Sequence, residues 1–392
     1  MKALICGAGI AGLSLAGRLG HHGWDVVLVE QAPGPRHHGY MIDFSGPGFE
    51  ALAAMGLLSQ LRAAASPVDT FRYIDHEGRT TVSLDYGLFT KALDGQIVSV
   101  MRPALEQMLR ESLGPRTRVR YGTTIEQITP ESAVLSDGDV VDADVIVGAD
   151  GIHSRIRSLT FGDEARFLHE LGMHTGAFIF DDHDVLDEVA GQFVLTETID
   201  RQLGLYGLGN GRVAAFTVHR TGSADYDDAR DELRAEFSGM GPLVDAALER
   251  CPPAEEIYFD RVAQVLMPQW THGRVGLIGD AACAVSLVAG QGASLGVAGA
   301  FVLAELLSTA GSIPEILTEY ERRWRPIADS IQKSARERVV EVFLPRRRST
   351  LLLRRWGFRA MHVPGLRRLL TGSLFPKGSH SVTELVSAAA EH

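Results

Sequence analysis

The stretch KALICGAGIAGLSLAGRL, residues 2–19, opens the chain with an apolar run, three spaced glycines and a small-residue helical pattern. Residues 2–6 are mostly apolar and closed by glycine, as a buried parallel strand would be. Residues 10–19 have helical spacing, and residues 24–30, rich in valine and ending in Glu30, read as a second strand. A strand–helix–strand unit of about 30 residues has the length that a parallel crossover needs. Within it Gly7 permits a tight turn, Gly9 lets backbone approach a pyrophosphate, and Gly12 lets helix pack closely on strand. Ile10 and Ala11 begin the helix, whose free N-terminal amides would face phosphate charge. Glu30 stands where a carboxylate accepts hydrogen bonds from ribose hydroxyls. Strand, turn, helix and acid together point to dinucleotide binding; the bland alternative is a glycine-rich turn in an unrelated α/β fold.

The rest of the chain sets the frame. Its 392 residues are 45% hydrophobic and 22% charged, enough for two packed domains or one with a large insertion. The 42 glycines cluster at turns, which excludes a collagen-like or low-complexity chain. A net charge of −11 argues against nucleic acid as a partner. The charge is uneven: residues 342–382 carry eight arginines and Lys377 with no Asp or Glu. Three cysteines, Cys6, Cys251 and Cys283, fit a reducing compartment better than a disulfide framework. Without a signal-peptide pattern or an apolar run of transmembrane length, the expectation is a soluble, cytoplasmic protein.

Patterning outward from the opening unit predicts a helix over 48–65, a hairpin over 71–84, and a helix starting near Arg102 with Pro103 in its first turn. Residues 119–147 read as a small meander returning to the main sheet. From 174 to 220 short strands alternate with Gly and Asn, and Asn210-Gly211 is a hairpin turn between 205–208 and 213–218. Residues 274–279 form another buried strand, followed by helices over 292–308 and 314–338.

Two further motifs stand downstream: GADGIHSRIR, residues 148–157, and GLIGDAACAVSLVAGQGASL, residues 276–295. Each alone passes for an ordinary strand-to-loop turn. With the first motif, in this order and at these separations, they resemble the para-hydroxybenzoate hydroxylase-like family of FAD monooxygenases, over residues 1 to about 340. The resemblance implies an α/β architecture: a Rossmann-like FAD-binding domain from 1–70, 98–170 and 270–340, an antiparallel-sheet substrate domain from 71–97 and 171–269, and a basic C-terminal helical tail, 341–392. It implies FAD as cofactor, NAD(P)H as transient reductant, and transfer of one oxygen atom from O2 to an apolar, aromatic or polycyclic small molecule. A single dinucleotide fingerprint agrees with a family in which NAD(P)H has no Rossmann domain of its own.

The resemblance also places residues. Asp150 lies in the DG motif that shapes the approach to the flavin, and Arg155 and Arg157 would counter pyrophosphate charge. Asp280, in the GD motif, would bond the ribityl chain. Arg102 matches an arginine beside the flavin, and Arg36 follows the ribose-binding acid on a mobile segment. Gly290, Gln291, Gly292 and Ala293 precede or open a helix, so their amides would meet the isoalloxazine edge where reduction places negative charge. The chain departs from the family at three positions: Cys283, Leu287 and Ser294 stand where His, Pro and Asn are usual. The proline shapes the oxygen pocket, so Leu287 and Asp43, in GYMIDF, are the substrate-pocket residues to watch. A turn hydrogen bond is the simpler role for Asp43.

No catalytic base is assigned, and no metal. The pairs His21-His22 and His37-His38 lack ligand spacing and read as surface histidines, and His153 as a loop hydrogen bond. Buried filler is the reading for Cys6 and Cys283. The arginine-rich segment 346–368 reads as a helix docked on the protein's own acidic surface, ahead of one touching anionic lipid. The chain is expected to be a monomer or homodimer. Two alternatives stay open: a flavin-dependent halogenase, although its GWxWxIP segment is absent, and a flavin-binding sensor or partner protein without turnover.

Overall fold

The computed structural model describes residues 1–35, 39–66, 68–222, 226–286, 290–339, 343–360 and 381–387. Its first layer is a six-stranded sheet in the order Thr271–His272, Val275–Leu277, Val145–Gly148, Lys2–Cys6, Asp25–Glu30, Thr117–Tyr121. All neighbours are parallel except the first pair. Lys2–Cys6 lies at the centre, and Leu4 and Ile5 are fully buried, as a parallel strand covered on both faces requires. Helix Ile10–His21 packs on this sheet and against helix Gly292–Leu307. The latter is apolar nearly all round and correspondingly buried. Helix Ile313–Ser334 is different: a capping box of Ser312 and Glu315 starts it, and it buries one stripe, including Trp324. Trp324 sits so close to Gly299 that a Cβ there would come within 2.6 Å of its indole nitrogen.

The second layer is a seven-stranded sheet, ordered Tyr258–Val265, Leu168–Phe180, Val213–Arg220, Arg201–Gly207, Gln192–Thr198, Thr70–Ile74, Thr80–Asp85. The expected hairpins are present. Arg201–Gly207 and Val213–Arg220 meet antiparallel, with Gly211 at φ +83° in the turn, and Thr70–Ile74 pairs with Thr80–Asp85. One join is parallel, between Gln192–Thr198 and Thr70–Ile74, and stitches the early hairpin onto the later strands. Helices Ala229–Phe237 and Pro242–Glu249 cover one face of this sheet through Leu233, Phe237, Val244 and Ala247. A two-stranded ribbon, Met41–Ser45 with Ile97–Met101, bridges the layers.

Several expectations need correction. The helix over 48–65 is two helices, Pro47–Ala54 and Leu58–Ala63, interrupted at Gly56, which has φ +74°. That conformation suits glycine and ends a right-handed helix. The helices Tyr86–Ala92, Ala229–Phe237 and Pro242–Glu249 had no counterpart in the sequence reading. The tail helix Arg348–Ala360 lies against the edge of the seven-stranded sheet, where the Arg355 guanidinium stands 3.1 Å from buried Glu197, which also pairs with Arg354. Phe358 packs on Tyr73 with ring centroids 5.4 Å apart. Its partner is thus one buried carboxylate, not an acidic surface, because two guanidinium groups offset the cost of enclosing that charge. Leu353 and Trp356, on the same helix, are 73% and 71% exposed. Residues 361–368 of the basic segment fall outside the described residues, and no described helix is long and apolar enough to cross a membrane.

Candidate functional site

The three motifs converge at the C-terminal ends of the central parallel strands. Cys6 and Gly148 are register partners, and the Ala149 amide donates to the Cys6 carbonyl at 2.8 Å. Gly7, at φ +105°, donates to the Val29 carbonyl at 2.7 Å. The glycines then separate into two kinds. A Cβ on Gly7 would fall 2.4 Å from the Ala149 carbonyl oxygen, and one on Gly12 would fall 1.9 Å from the Gly7 carbonyl oxygen. Protein packing demands both. A Cβ on Gly9 would meet nothing within 4 Å, so the space before it is open to a ligand. Gly9 caps helix Ile10–His21 without a side chain, leaving the first-turn amides facing that opening.

Glu30 completes this end. Its Oε2 accepts from the Ala8 amide and its Oε1 from the Ala32 amide, both at 2.9 Å, which pins the carboxylate beside the turn. Ala11 meets the third motif directly: a Cβ on Gly279 would approach its methyl to 2.8 Å. Gly279 (φ +58°) turns strand Val275–Leu277 into the short helix that starts with Asp280. A Cβ on Gly292 would lie 3.5 Å from the Asp280 carboxylate, whereas Gly290, at φ +65°, faces open space. Gln291 caps helix Gly292–Leu307, and Ala293 packs half-buried behind it. Open glycines and uncapped amides at both ends, with carboxylates between, fit an adenine–flavin dinucleotide spanning the sheet end.

The DG motif is used differently from the expectation. Asp150 accepts from Ser154 Oγ at 2.6 Å and the Ile156 amide at 3.0 Å, so it braces its own loop. Ser154 in turn caps helix Arg155–Phe161. Arg157 is fully buried, bonding the Ile152 and Ala281 carbonyls and Glu164. It ties the DG loop to the GD loop and does not face the pyrophosphate opening, while Arg155 points to solvent. Ser294 donates to the Ser45 carbonyl at 2.5 Å and accepts from the Gly48 amide at 2.8 Å, fastening the ribbon's end to the long helix. Cys6 and Cys283 are buried, and burial pushes the Cys6 thiol up to about 12, as inert filler requires. Arg36 and Leu287 lie outside the described residues, as do His37 and His38. His22 is not a plain surface histidine, because Glu305 holds it together with Arg18.

Around Arg102 stands an aromatic cluster whose members the sequence reading did not single out. Arg102 opens helix Arg102–Glu111, donates its amide to the Tyr40 carbonyl at 3.1 Å, and pairs with Glu106. Tyr40 packs on Phe216 and Tyr258 of the seven-stranded sheet, both at 5.8 Å between centroids. The Met41 amide donates to the Tyr206 hydroxyl at 2.7 Å, and Tyr206 stacks edge-on to Phe193 at 5.1 Å. Burial raises the phenols of Tyr40, Tyr206 and Tyr258, keeping them neutral. It raises the Asp280 carboxyl as well, and the charge of Arg102 opposes that shift. Asp43 is mid-strand and does not sit in a turn. It accepts from Ser99 Oγ at 2.5 Å and the Tyr86 hydroxyl at 3.3 Å, and burial pushes its carboxyl up against both bonds. The one polar residue in the apolar strand IVSVM, Ser99, was the available clue. A cleft of about 910 Å³ lies on the far side of Tyr86, between Asp69, Thr81, Lys91 and Arg359, away from the glycine motifs.

Comparison with known proteins agrees with this geometry. The family model described as FAD binding domain matches residues 1–335. An uncharacterized protein of Mycobacterium tuberculosis H37Rv is 31% identical over 328 residues, covering 79% of this chain and 85% of that one. A flavin-dependent monooxygenase of Legionella longbeachae is 28% identical over 343 residues, covering 85% and 87%. Among solved structures, the tetracycline destructase Tet(55) superposes with a TM-score of 0.79 at 26% identity, covering 97% of this chain and 98% of that one. Klebsiella pneumoniae HpxO, solved with FAD and uric acid, shares the fold at a TM-score of 0.76 and 20% identity, over 95% and 96%.

Proposed function

The chain belongs to the FAD-binding family of para-hydroxybenzoate hydroxylase-like monooxygenases, and from that premise we propose that it inserts one oxygen atom into an aromatic or polycyclic small molecule held against the aromatic cluster. Bound FAD, reduced by NAD(P)H, supplies the oxygen-activating chemistry. The protein's share is binding, orientation and exclusion of water.

In this reading the six-stranded layer with the Arg102 helix is the cofactor domain, and the seven-stranded sheet with its covering helices is the substrate domain. Gly7, Gly9, Gly12 and the amides of Ile10 and Ala11 would hold the pyrophosphate, Glu30 the ribose, and Asp280 the ribityl hydroxyls. The amides of Gly290, Gln291, Gly292 and Ala293 would lie where they can stabilise negative charge on the ring. Arg102, enclosed among Tyr40, Glu106, Tyr258 and Asp280, adds a fixed positive charge at the same place. Asp150 acts at one remove, by holding the DG loop against Gly7. Asp43 is the group that can hold or release a proton beside the substrate, through Ser99 and Tyr86. The three cysteines, all free and buried, support a reducing compartment such as the cytoplasm.

The observation that carries the proposal is an aromatic cluster next to the third motif: Tyr40 packs on Phe216 and Tyr258, within reach of the Asp280 charge, and the Met41 amide ties it to the Tyr206–Phe193 pair. Flat apolar surface with a few neutral hydroxyls selects flat, weakly polar ligands. That the similar Tet(55) is a tetracycline destructase supports a polycyclic substrate. The relatives named as monooxygenases leave the halogenase and the binding-only readings without support. The test is NAD(P)H oxidation by the FAD-loaded protein under ¹⁸O2, with a panel of phenols and fused-ring compounds. Substrate-stimulated oxidation with one labelled atom in the product is expected. Oxidation that no aromatic compound stimulates, with all electrons leaving as peroxide, would overturn the proposal.

A further inference from the structure

On the face of the seven-stranded sheet turned away from the aromatic cluster, His174 and His219 are direct register partners across strands Leu168–Phe180 and Val213–Arg220. Side chains alternate along a strand, so Phe216, which meets Tyr40, and His219 lie on opposite faces. Tyr258 and Phe259 divide in the same way: the first meets Tyr40, the second packs on His174 at 5.3 Å between centroids. Directly opposed residues share a face, and helix Ala229–Phe237 lays Glu232 over the pair. His219 Nε2 is 3.1 Å and His174 Nδ1 3.6 Å from the same oxygen, Glu232 Oε1, and the three ligand atoms all lie within 4.8 Å of one another.

We propose that His174, His219 and Glu232 form a transition-metal site of the zinc class, with water as fourth ligand, that fastens helix Ala229–Phe237 to the sheet. The spacing is the first argument. Bonds of about 2.0–2.1 Å in a tetrahedron put neighbouring ligands about 3.3–3.4 Å apart, and the two measured edges bracket that length. The second is the donor set: two imidazoles and one carboxylate suit Zn²⁺ and Co²⁺ and give hard cations such as Mg²⁺ or Ca²⁺ too few oxygens. Both histidines are at most 1% exposed, so an ion between them would be enclosed by protein on that side. Phe237 closes the His219 side at 5.6 Å and Tyr226 the His174 side at 5.5 Å. The Glu232 side chain, 27% exposed, leaves an entry for the ion and a place for the water.

The test uses full-length, FAD-loaded protein stripped with chelator and dialysed against Zn²⁺ or Co²⁺. About one ion per chain is expected, with the intense visible bands of four-coordinate Co²⁺ and a rise in melting temperature. Glu232→Gln, at the partly exposed corner, should weaken binding at least about tenfold and abolish the bands while the flavin spectrum stays intact. X-ray absorption at the zinc edge of the unmutated protein should find two imidazoles at about 2.0 Å. Fewer than about 0.1 ion per chain, unchanged binding in Glu232→Gln, or an edge spectrum without imidazole would each overturn the site.

Discussion

The two sheets of this molecule build their surfaces from different atoms. At the end of the parallel sheet the candidate cofactor site is made of backbone: Gly9 and Gly290 leave open space before the amides, and Gly7 and Gly12 let turn, strand and helix pack closely enough to present them. On the seven-stranded sheet it is made of side chains, Phe193, Tyr206, Phe216 and Tyr258, carried by four separate strands. A backbone-built surface tolerates almost no added atom, whereas a side-chain-built one can change its lining without changing its fold. Binding a constant cofactor suits the first, and fitting a particular substrate suits the second.

The largest expected effect tests the backbone side, and it separates two glycines. Gly12→Ala forces a Cβ into the Gly7 carbonyl, costing ~1–3 kcal/mol of stability and FAD affinity on the order of 100-fold, equivalent to ~2.7 kcal/mol. Gly9, at φ −82°, accepts alanine and nothing in the protein meets it. Gly9→Ala should leave apo stability within ~0.5 kcal/mol yet weaken FAD binding roughly tenfold. Melting of the apo proteins and flavin titration read both. Equal melting losses for the two variants would erase the distinction.

On the side-chain side, Asp43→Asn should leave FAD affinity within about twofold and lower substrate-stimulated turnover on the order of tenfold, the range of a lost general acid or base. It has a stability signature as well. Burial raises the Asp43 carboxyl on folding, so its stabilising contribution is full below the ordinary carboxylate range and is lost as pH rises through the folded value. Relative to the unmutated protein, the asparagine variant should therefore gain stability as pH rises above the ordinary carboxylate range. A melting difference that stays flat with pH would remove the buried carboxyl from the account.

The smallest effect concerns the join between the regions. His153, in the DG motif, stands 3.5 Å from Asp260 of the seven-stranded sheet and 3.0 Å from Glu164. Asp260 first, and Glu164 after it, push the imidazole up to about 9 against partial burial. A histidine raised on folding contributes stability below its unfolded value, and that contribution disappears as pH rises through the folded one. His153→Ala should cost only ~0.5–1 kcal/mol near pH 6, since the pair is half-exposed and solvent screens it. The cost should vanish near pH 10. Melting at the two pH values checks it, and an undiminished loss at high pH would make the contact one of packing, not charge.

The comparison also explains what could be read early. Local spacing pointed to the GAGIAG turn, to Glu30 at the strand end, to the helix opening after Gly290–Gly292 and to the Asn210-Gly211 hairpin, because each depends on neighbours within a few residues, whereas Asp280 was placed only through the family resemblance. Arg157 was misread because an arginine in a motif looks the same whether it faces a phosphate or the Ala281 carbonyl. Asp43 was given a turn because its partner Ser99 arrives from a distant strand. Spacing along the chain cannot pair His174 with His219, because the two meet only through strand register.

By itself, then, the sequence determined the crossover, the dinucleotide-binding turn and the family, since these rest on short-range steric demands that only glycine and a few polar residues satisfy. The tertiary structure alone decided which aromatic residues gather around Tyr40, that Arg157 is a buried tie, that the tail helix closes over Glu197, and that two histidines share one carboxylate. Those outcomes depend on strand order and register. A shift of one residue moves every side chain to the opposite face, and no local pattern carries that information.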